Sequence, residues 1–294
     1  MRIGYFADGP WSHNALDKIL NDKSLKVVFI CARFDTQDQV LKEKAAFHEI
    51  PFVVHQNINS QEFREFLIDS ACDIFVSMSF NQIFKKEVID IPSNKIINCH
   101  AGKLPYYRGR NILNWALIND EKEFGVTVHY VDNGIDTGDI ILQRVYCIND
   151  TDSYSTLLNR SYMYCAEILI DAIKVIQSGE VKRIRQDSIH PVGSYFPQRK
   201  LGDEKLDWSL PSRGVFNFVR AISKPGPSAV TFIGEIEVLI NCVELIPDAP
   251  TYKASPGAIL KKEGDFLFVK TGDSFVKVIE WTSSAKLKVG DRLK

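Results

Sequence analysis

Short apolar runs alternate with amphipathic stretches through the first half of the chain. RIGYF (2–6), KVVFICA (26–32), DIFVSMSF (73–80) and KIINCH (95–100) read as strands, and 12–23, 36–48 and 60–70 as helices. Unbroken apolar strands separated by helices indicate a mostly parallel sheet covered on both faces. Two more strands, GVTVHYV (125–131) and DIILQRVY (139–146), flank the turn-rich spacer DNGIDTG. Leu158, Cys165, Leu169, Ile173 and Ile176 recur at helical spacing, so 153–178 reads as a long helix. Thr151 or Asp152 is placed to cap its start and Gly179 to end it. The polar stretch 181–205 reads as a loop and holds the domain boundary. After a helix at about 212–222, the segments AVTFI, EIEVLINCVEL, GAILKK, FLFVKT and SFVKVIEW are short strands with turn residues between them. They suggest a small barrel or sheet. The expected fold is α/β: a Rossmann-like, mostly parallel sheet over 1–190 and a smaller β-rich, OB-like domain over 191–294.

Composition narrows this picture. The chain has 294 residues, 45% hydrophobic and 25% charged, which suits a soluble protein with a sizeable core. A net charge of −1 argues against binding nucleic acid through bulk charge, though a local basic site remains open. MRIGYFADG lacks the basic start and long apolar stretch of a signal peptide, and no run approaches the roughly 20 apolar residues of a membrane helix. The six cysteines form no CxxC pair, so they read as reduced thiols, not as a disulfide frame or zinc site. A cytoplasmic protein without membrane contact is the expectation.

Ligands of parallel sheets bind beyond the C-terminal strand ends. There, in NCHAGKLPYYRGR (98–110), Asn98 and His100 fall on one face and Cys99 on the other. Two polar groups on one face break the pattern of a buried strand. A turn cap and a core histidine account for them equally well on spacing alone. Asp136, in VDNGIDTGDII, is expected to be carried by its loop to the same end of the sheet. Alone it is more simply a turn aspartate.

Taken together, NCHAGKLPYYRG (98–109), GVTVHYVDNGIDTGDII (125–141) and KVGDRL (288–293) resemble the formyltransferases that use 10-formyltetrahydrofolate. The resemblance is close over 73–146 and loose elsewhere. It implies a catalytic set of Asn98, His100 and Asp136. In that set, Asn98 donates a hydrogen bond to the oxyanion that forms as an amine attacks the formyl carbon. His100 donates to the same oxygen or takes the amine proton, and Asp136 orients the imidazole. Whether His100 or Asp136 removes the proton stays open. The resemblance also implies a folate pocket lined by Met78, Ser79, Phe80 and Ile83 on one side and by Asp132, Ile135 and Gly138 on the other. N10-formyltetrahydrofolate is then the formyl donor, and no metal is needed. One departure lies in the loop: many relatives read His-x-Ser-Leu-Leu-Pro where this chain has His100-Ala101-Gly102-Lys103-Leu104-Pro105.

Three acceptors compete. Glycinamide ribonucleotide enzymes end after the first domain. Initiator-tRNA enzymes share the two-domain plan but need a basic surface for phosphates, and only 181–200 is locally basic here. The stretches YYRGRNILNWALIND (106–120) and 195–225 resemble sugar formyltransferases. The expected partner is therefore a nucleotide sugar, dTDP- or UDP-linked, for O-antigen or other surface glycan, and not nucleic acid. Arg199, Arg220 and Lys224 are candidates for its phosphates, and Tyr195 or Trp11 for stacking on its base. Lys103 and Arg108 either touch the acceptor or support the loop. A methionyl-tRNA formyltransferase and a non-catalytic folate-binding protein are the alternatives. An edge of the C-terminal sheet offers a place for a second copy of the chain.

Overall fold

The computed structural model describes residues 1–294. Two compact units interleave along the chain. Met1–Gly109, Phe124–Tyr146 and Asn159–Phe196 form the first, and Arg110–Glu123, Cys147–Leu158 and Pro197–Lys294 the second.

The first unit contains β1 (Arg2–Ala7), α1 (Pro10–Leu20), β2 (Lys26–Ala32), α2 (Gln39–Phe47), β3 (Phe52–Val54), α3 (Gln61–Asp69), β4 (Ile74–Met78), α4 (Lys86–Ile89), β5 (Ile96–His100) and β6 (Arg108–Gly109). After α5 (Ile112–Ile118), which lies in the second unit, come β7 (Glu123–Tyr130), β8 (Ile140–Cys147) and α6 (Tyr154–Ser178). A 3-10 turn (Gln186–Ser188) and β9 (Tyr195–Phe196) close the unit. The sheet runs β3-β2-β1-β4-β5-β7-β8. Strands β1 to β5 pair in parallel and β7 is antiparallel to β5. The order reverses at β1 and β4, the switch point beside which doubly wound sheets bind ligands.

Apolar strands dictate this core. Phe6 meets Phe29, Phe75, Phe80 and Phe84 edge-on, with centroids 5.0–5.5 Å apart. Such pairs contribute about 0.5–1.5 kcal/mol each beyond area burial. Side chains cap the starts of α2 and α3: Asp38 accepts from Leu41 N and Ser60 from Phe63 N. No helix is long and apolar enough to cross a membrane.

The stretch expected as a plain loop at 181–205 is ordered in its first half. Ile184 and Ile140 exchange two backbone bonds of 2.8 and 3.0 Å. Ser194 N donates to Pro105 O, Ser194 O accepts from Arg108 N, and Ser194 Oγ accepts from Tyr107 N. β9 then pairs in parallel with β6. Ser194, Gln186 and His190, which help give the stretch its loop-like composition, bond backbone groups.

In the second unit α7 (Ser212–Ile222) precedes β10 (Ala229–Ile233), β11 (Ile236–Leu245), β12 (Ile259–Glu263), β13 (Phe266–Lys270) and β14 (Phe275–Ser283). The sheet is antiparallel, in the order β10-β11-β14-β13-β12. The final residues join its two edges. Phe232 and Lys294 exchange two bonds, while Leu293 N donates to Gly257 O and Ile259 N to Asp291 O. This closure makes a small barrel around Val238, Ile240, Leu267, Val269, Val276 and Val278.

Candidate active site

The site is built on β5 and β7. Asn98 lies opposite His129 and His100 opposite Thr127, so all four side chains share one face. Thr127 Oγ1 donates to Gly102 O at 2.6 Å and accepts from Gln143 Nε2 at 2.8 Å, which pins the loop that leaves β5. A Cβ on Gly102 would sit 2.5 Å from both His100 Nε2 and Tyr107 O, so the chain passes here only as glycine.

Hydrogen-bond chemistry assigns the ring hydrogens. His100 Nε2 lies 2.7 Å from Tyr107 O. A carbonyl only accepts, so Nε2 carries the hydrogen, and Nδ1 faces Asp136 Oδ2 at 3.7 Å. His129 Nδ1 likewise donates to Tyr130 O at 2.8 Å. Its Nε2 lies 3.2 Å from Asn98 Nδ2 and 3.5 Å from Asp136 Oδ1. A neutral His129 accepts one Asn98 N–H, which fixes the amide's orientation and leaves its second N–H for another acceptor.

Asp136 reaches these rings by an unexpected route. Because β7 is antiparallel to β5, the loop after Tyr130 starts beside Ile96, not beside His100; Val131 N donates to Ile96 O at 2.8 Å. It then doubles back along the Asn98–His100 face. Asp132 folds the loop by accepting from Gly134 N and Thr137 Oγ1. A Cβ on Gly138 would lie 1.9 Å from Tyr130 O, so this return is tight. Asp136 itself is left-handed, with φ of 55°, and Gly109 N donates to its Oδ2 at 2.9 Å. Burial alone pushes the Asp136 carboxyl up. The imidazoles of His100 and His129, whose protonated forms favour a neighbouring carboxylate, and the bond from Gly109 N outweigh that and hold it well below the usual carboxylate range.

Asn98, His100 and Asp136 are thus brought together, and sequence reading missed His129, Thr127 and the Tyr107 carbonyl. The available signal was Thr127 and His129 standing two apart in an otherwise apolar strand. Among the proposed folate-pocket residues, Met78 is buried and Phe80 packs on Phe6 and Phe84. Asp132 is turned into its own loop. Ser79 has φ of 60°, and Ile83 and Ile135 expose 69% and 51% of their surface. Exposed apolar groups of that size suit a flat heteroaromatic ligand. No group of three or more His, Cys, Asp or Glu is placed to hold a metal ion.

The acceptor candidates scatter. Trp11 packs edge-on against Tyr162, and Lys103 lies against Gly125. Arg108 is spent on Gln186 and Val192 O. Tyr195 is 55% exposed on β9. In the second unit Arg199 lies over Trp115 and Phe218 and donates to Asp203 O. Lys224 pairs with Glu280. Arg220 corrects the expectation of a phosphate ligand. It is 7% exposed and donates to Asn217 Oδ1, Asn149 O and Asp152 O, so the fold consumes its guanidinium.

Comparison with known proteins matches residues 1–173 to the model of the family described as Formyl transferase, and 200–290 to Formyl transferase, C-terminal domain. A methionyl-tRNA formyltransferase of Halothermothrix orenii is 30% identical, with 98% of this chain and 94% of the relative aligned. One from Fusobacterium nucleatum subsp. nucleatum is 33% identical over 84% of this chain and 77% of its own. Among solved structures, the sugar 3N-formyl transferase WlaRD has a TM-score of 0.72 at 23% identity, covering 98% of this chain and 99% of its own. An N-formyltransferase of Helicobacter canadensis has 0.71 at 22%, covering 96% and 99%.

Proposed function

We propose, for a chain that belongs to the formyl transferase family, that it moves a formyl group from N10-formyltetrahydrofolate to the amine of a deoxy-amino sugar carried on dTDP or UDP. Folate-dependent formyl transfer is the activity of the family. The sugar acceptor is our own reading, and so are the roles that follow.

The amine attacks the formyl carbon and negative charge develops on the formyl oxygen. The second N–H of Asn98, held in place by His129, donates to that oxygen. One preorganised donor of this kind contributes about 3–4 kcal/mol. His100 takes the amine proton at Nδ1, because its Nε2 is committed to Tyr107 O. The imidazolium so formed gains Asp136 as a counter-charge. His100 returns the proton to the donor nitrogen as its bond to the formyl carbon breaks. Ile83, Ile135 and the backbone around Ser79 and Gly138 are the groups that would hold the pterin.

One observation carries the choice of acceptor. Every arginine of the second unit makes hydrogen bonds inside that unit: Arg110 to Gln198, Arg199 to Asp203 O, Arg213 to Asp120 and Asp150, Arg220 as above, and Arg292 to Pro256 O. Phosphates along a tRNA need many cations and a sugar diphosphate needs few, so arginines committed in this way weigh more against tRNA and leave lysines for a diphosphate. The relatives at 30–33% identity favour a second reading, formylation of initiator methionyl-tRNA. A panel of dTDP- and UDP-amino sugars and initiator Met-tRNA, each with labelled 10-formyltetrahydrofolate, separates the two. Label on a sugar supports the proposal, and label on tRNA alone overturns it.

A further inference from the structure

Gln186 belongs to the strap after α6, outside every motif that marks the site. It is 3% exposed, and its amide makes all four hydrogen bonds that a glutamine can make. Oε1 accepts from Arg108 Nε at 3.0 Å and Nη2 at 2.7 Å. Nε2 donates to Asp136 O at 2.8 Å and to Gly138 O at 2.7 Å. Arg108 is followed in the chain by Gly109, whose N–H holds the Asp136 carboxylate. The contacts therefore close a ring: from Gln186 to the Asp136 backbone, from the Asp136 carboxylate to Gly109, along the chain to Arg108, and back to Gln186.

We propose that Gln186 is a positioning residue for formyl transfer, clamping Asp136 to the loop that follows His100; the proposal rests on the formyl-transfer reading of this site. Three features support it. First, the backbone of Asp136 is held left-handed, a conformation that costs a non-glycine residue about 1 kcal/mol or more and needs outside support. Gln186 supplies that support on both sides of Thr137. Second, the Arg108 guanidinium meets no carboxylate: its remaining bond goes to Val192 O at 3.1 Å. Its charge polarises the Gln186 amide and strengthens the two bonds donated to the Asp136 loop. Third, no other side chain reproduces the set. Glutamate accepts from Arg108 but has no N–H for the carbonyls. Methionine has the length and neither function.

The ring makes the carboxylate's position depend on the acceptor-side loop. Opening it anywhere lets Asp136 drift from His100 Nδ1. This predicts a loss in turnover without a matching loss in donor binding.

The test uses the full-length protein with Q186M, Q186E and R108M, and the Q186M/R108M double variant. Q186M is expected to lower kcat by about 10- to 100-fold, as small misplacements of reacting groups do, with any rise in donor KM through release of Gly138 O smaller than that fall. Its pH profile in kcat/KM should differ from the parent's, because the carboxylate that faces His100 Nδ1 is no longer held in place. The double variant should be no slower than the worse single variant, since one break opens the ring. Ring 15N signals of His100 and His129 at fixed pH should shift in Q186M and R108M, while those of His13 stay in place. If Q186M does not fold, R108M and Q186E carry the same comparison. A folded Q186M with parental kcat, pH profile and ring signals overturns the proposal, as do losses in the double variant that multiply. Shifted ring signals in a chain that formylates nothing would retain the clamp and overturn the proposed function.

Discussion

Replacing Asp136 by Asn removes a charge and little else. The amide keeps the size of the carboxylate and, through its oxygen, the bond from Gly109 N. It loses attraction to the imidazolium that His100 becomes on taking a proton. The two groups stand 3.7 Å apart, and their side chains are 9% and 14% exposed. With an effective dielectric of about 20, that separation corresponds to about 4 kcal/mol. At about 1.4 kcal/mol per decade, D136N should slow the chemical step by about 10³-fold. Single-turnover transfer from 10-formyltetrahydrofolate reads that step directly, with the melting temperature as a check on folding. A folded D136N within about ten-fold of the parent would refute the role given to the carboxylate.

Other substitutions probe the frame. In G102A the new Cβ meets both His100 Nε2 and Tyr107 O at 2.5 Å, so kcat should fall by about 100-fold; parental turnover would show that the loop does not set the ring. R220M strands the Asn149 and Asp152 carbonyls, and urea unfolding should register a loss of about 2–4 kcal/mol. The acceptor KM of folded R220M should not change, and a large rise would restore Arg220 as a ligand. Asp136 also predicts an acid dependence. Its carboxyl titrates below the usual range in the fold, so its contribution to stability is complete above about pH 4 and is lost as pH falls below that. Between about pH 4 and pH 2 the parent should therefore lose urea resistance faster than D136N; parallel losses would contradict this.

The sheet was legible because its information is local. A strand buried on both faces must be apolar throughout, so KVVFICA and DIFVSMSF declare themselves in their own residues. The same rule exposes Asn98 and His100, since a polar pair at alternate positions is visible without a partner. His129 obeys that rule too, and register turns it from a curiosity into a site residue. Only the antiparallel pairing of β7 with β5 sets it opposite Asn98.

Register is also where local reasoning ended. The route of Asp136 depends on the direction of β7, and a strand's direction leaves no mark on its hydrophobic pattern. Polar residues raise a related difficulty, because their type does not say whether water or the fold takes their hydrogen bonds. Arg220 reads as a phosphate ligand until Asn149 and Asp152, 71 and 68 positions away in the chain, are found to accept from it. Gln186 is the same case with the opposite consequence. In sequence it is one polar residue among many in a stretch of loop-like composition. In the fold its partners lie 48, 50 and 78 positions away, and they converge on the carboxylate that faces His100. Long-range polar satisfaction is therefore what joins the strap after α6 to the chemistry. It follows that a glutamine in a stretch suited to a linker belongs to the active site, while an arginine whose chemistry suits a diphosphate belongs to the core.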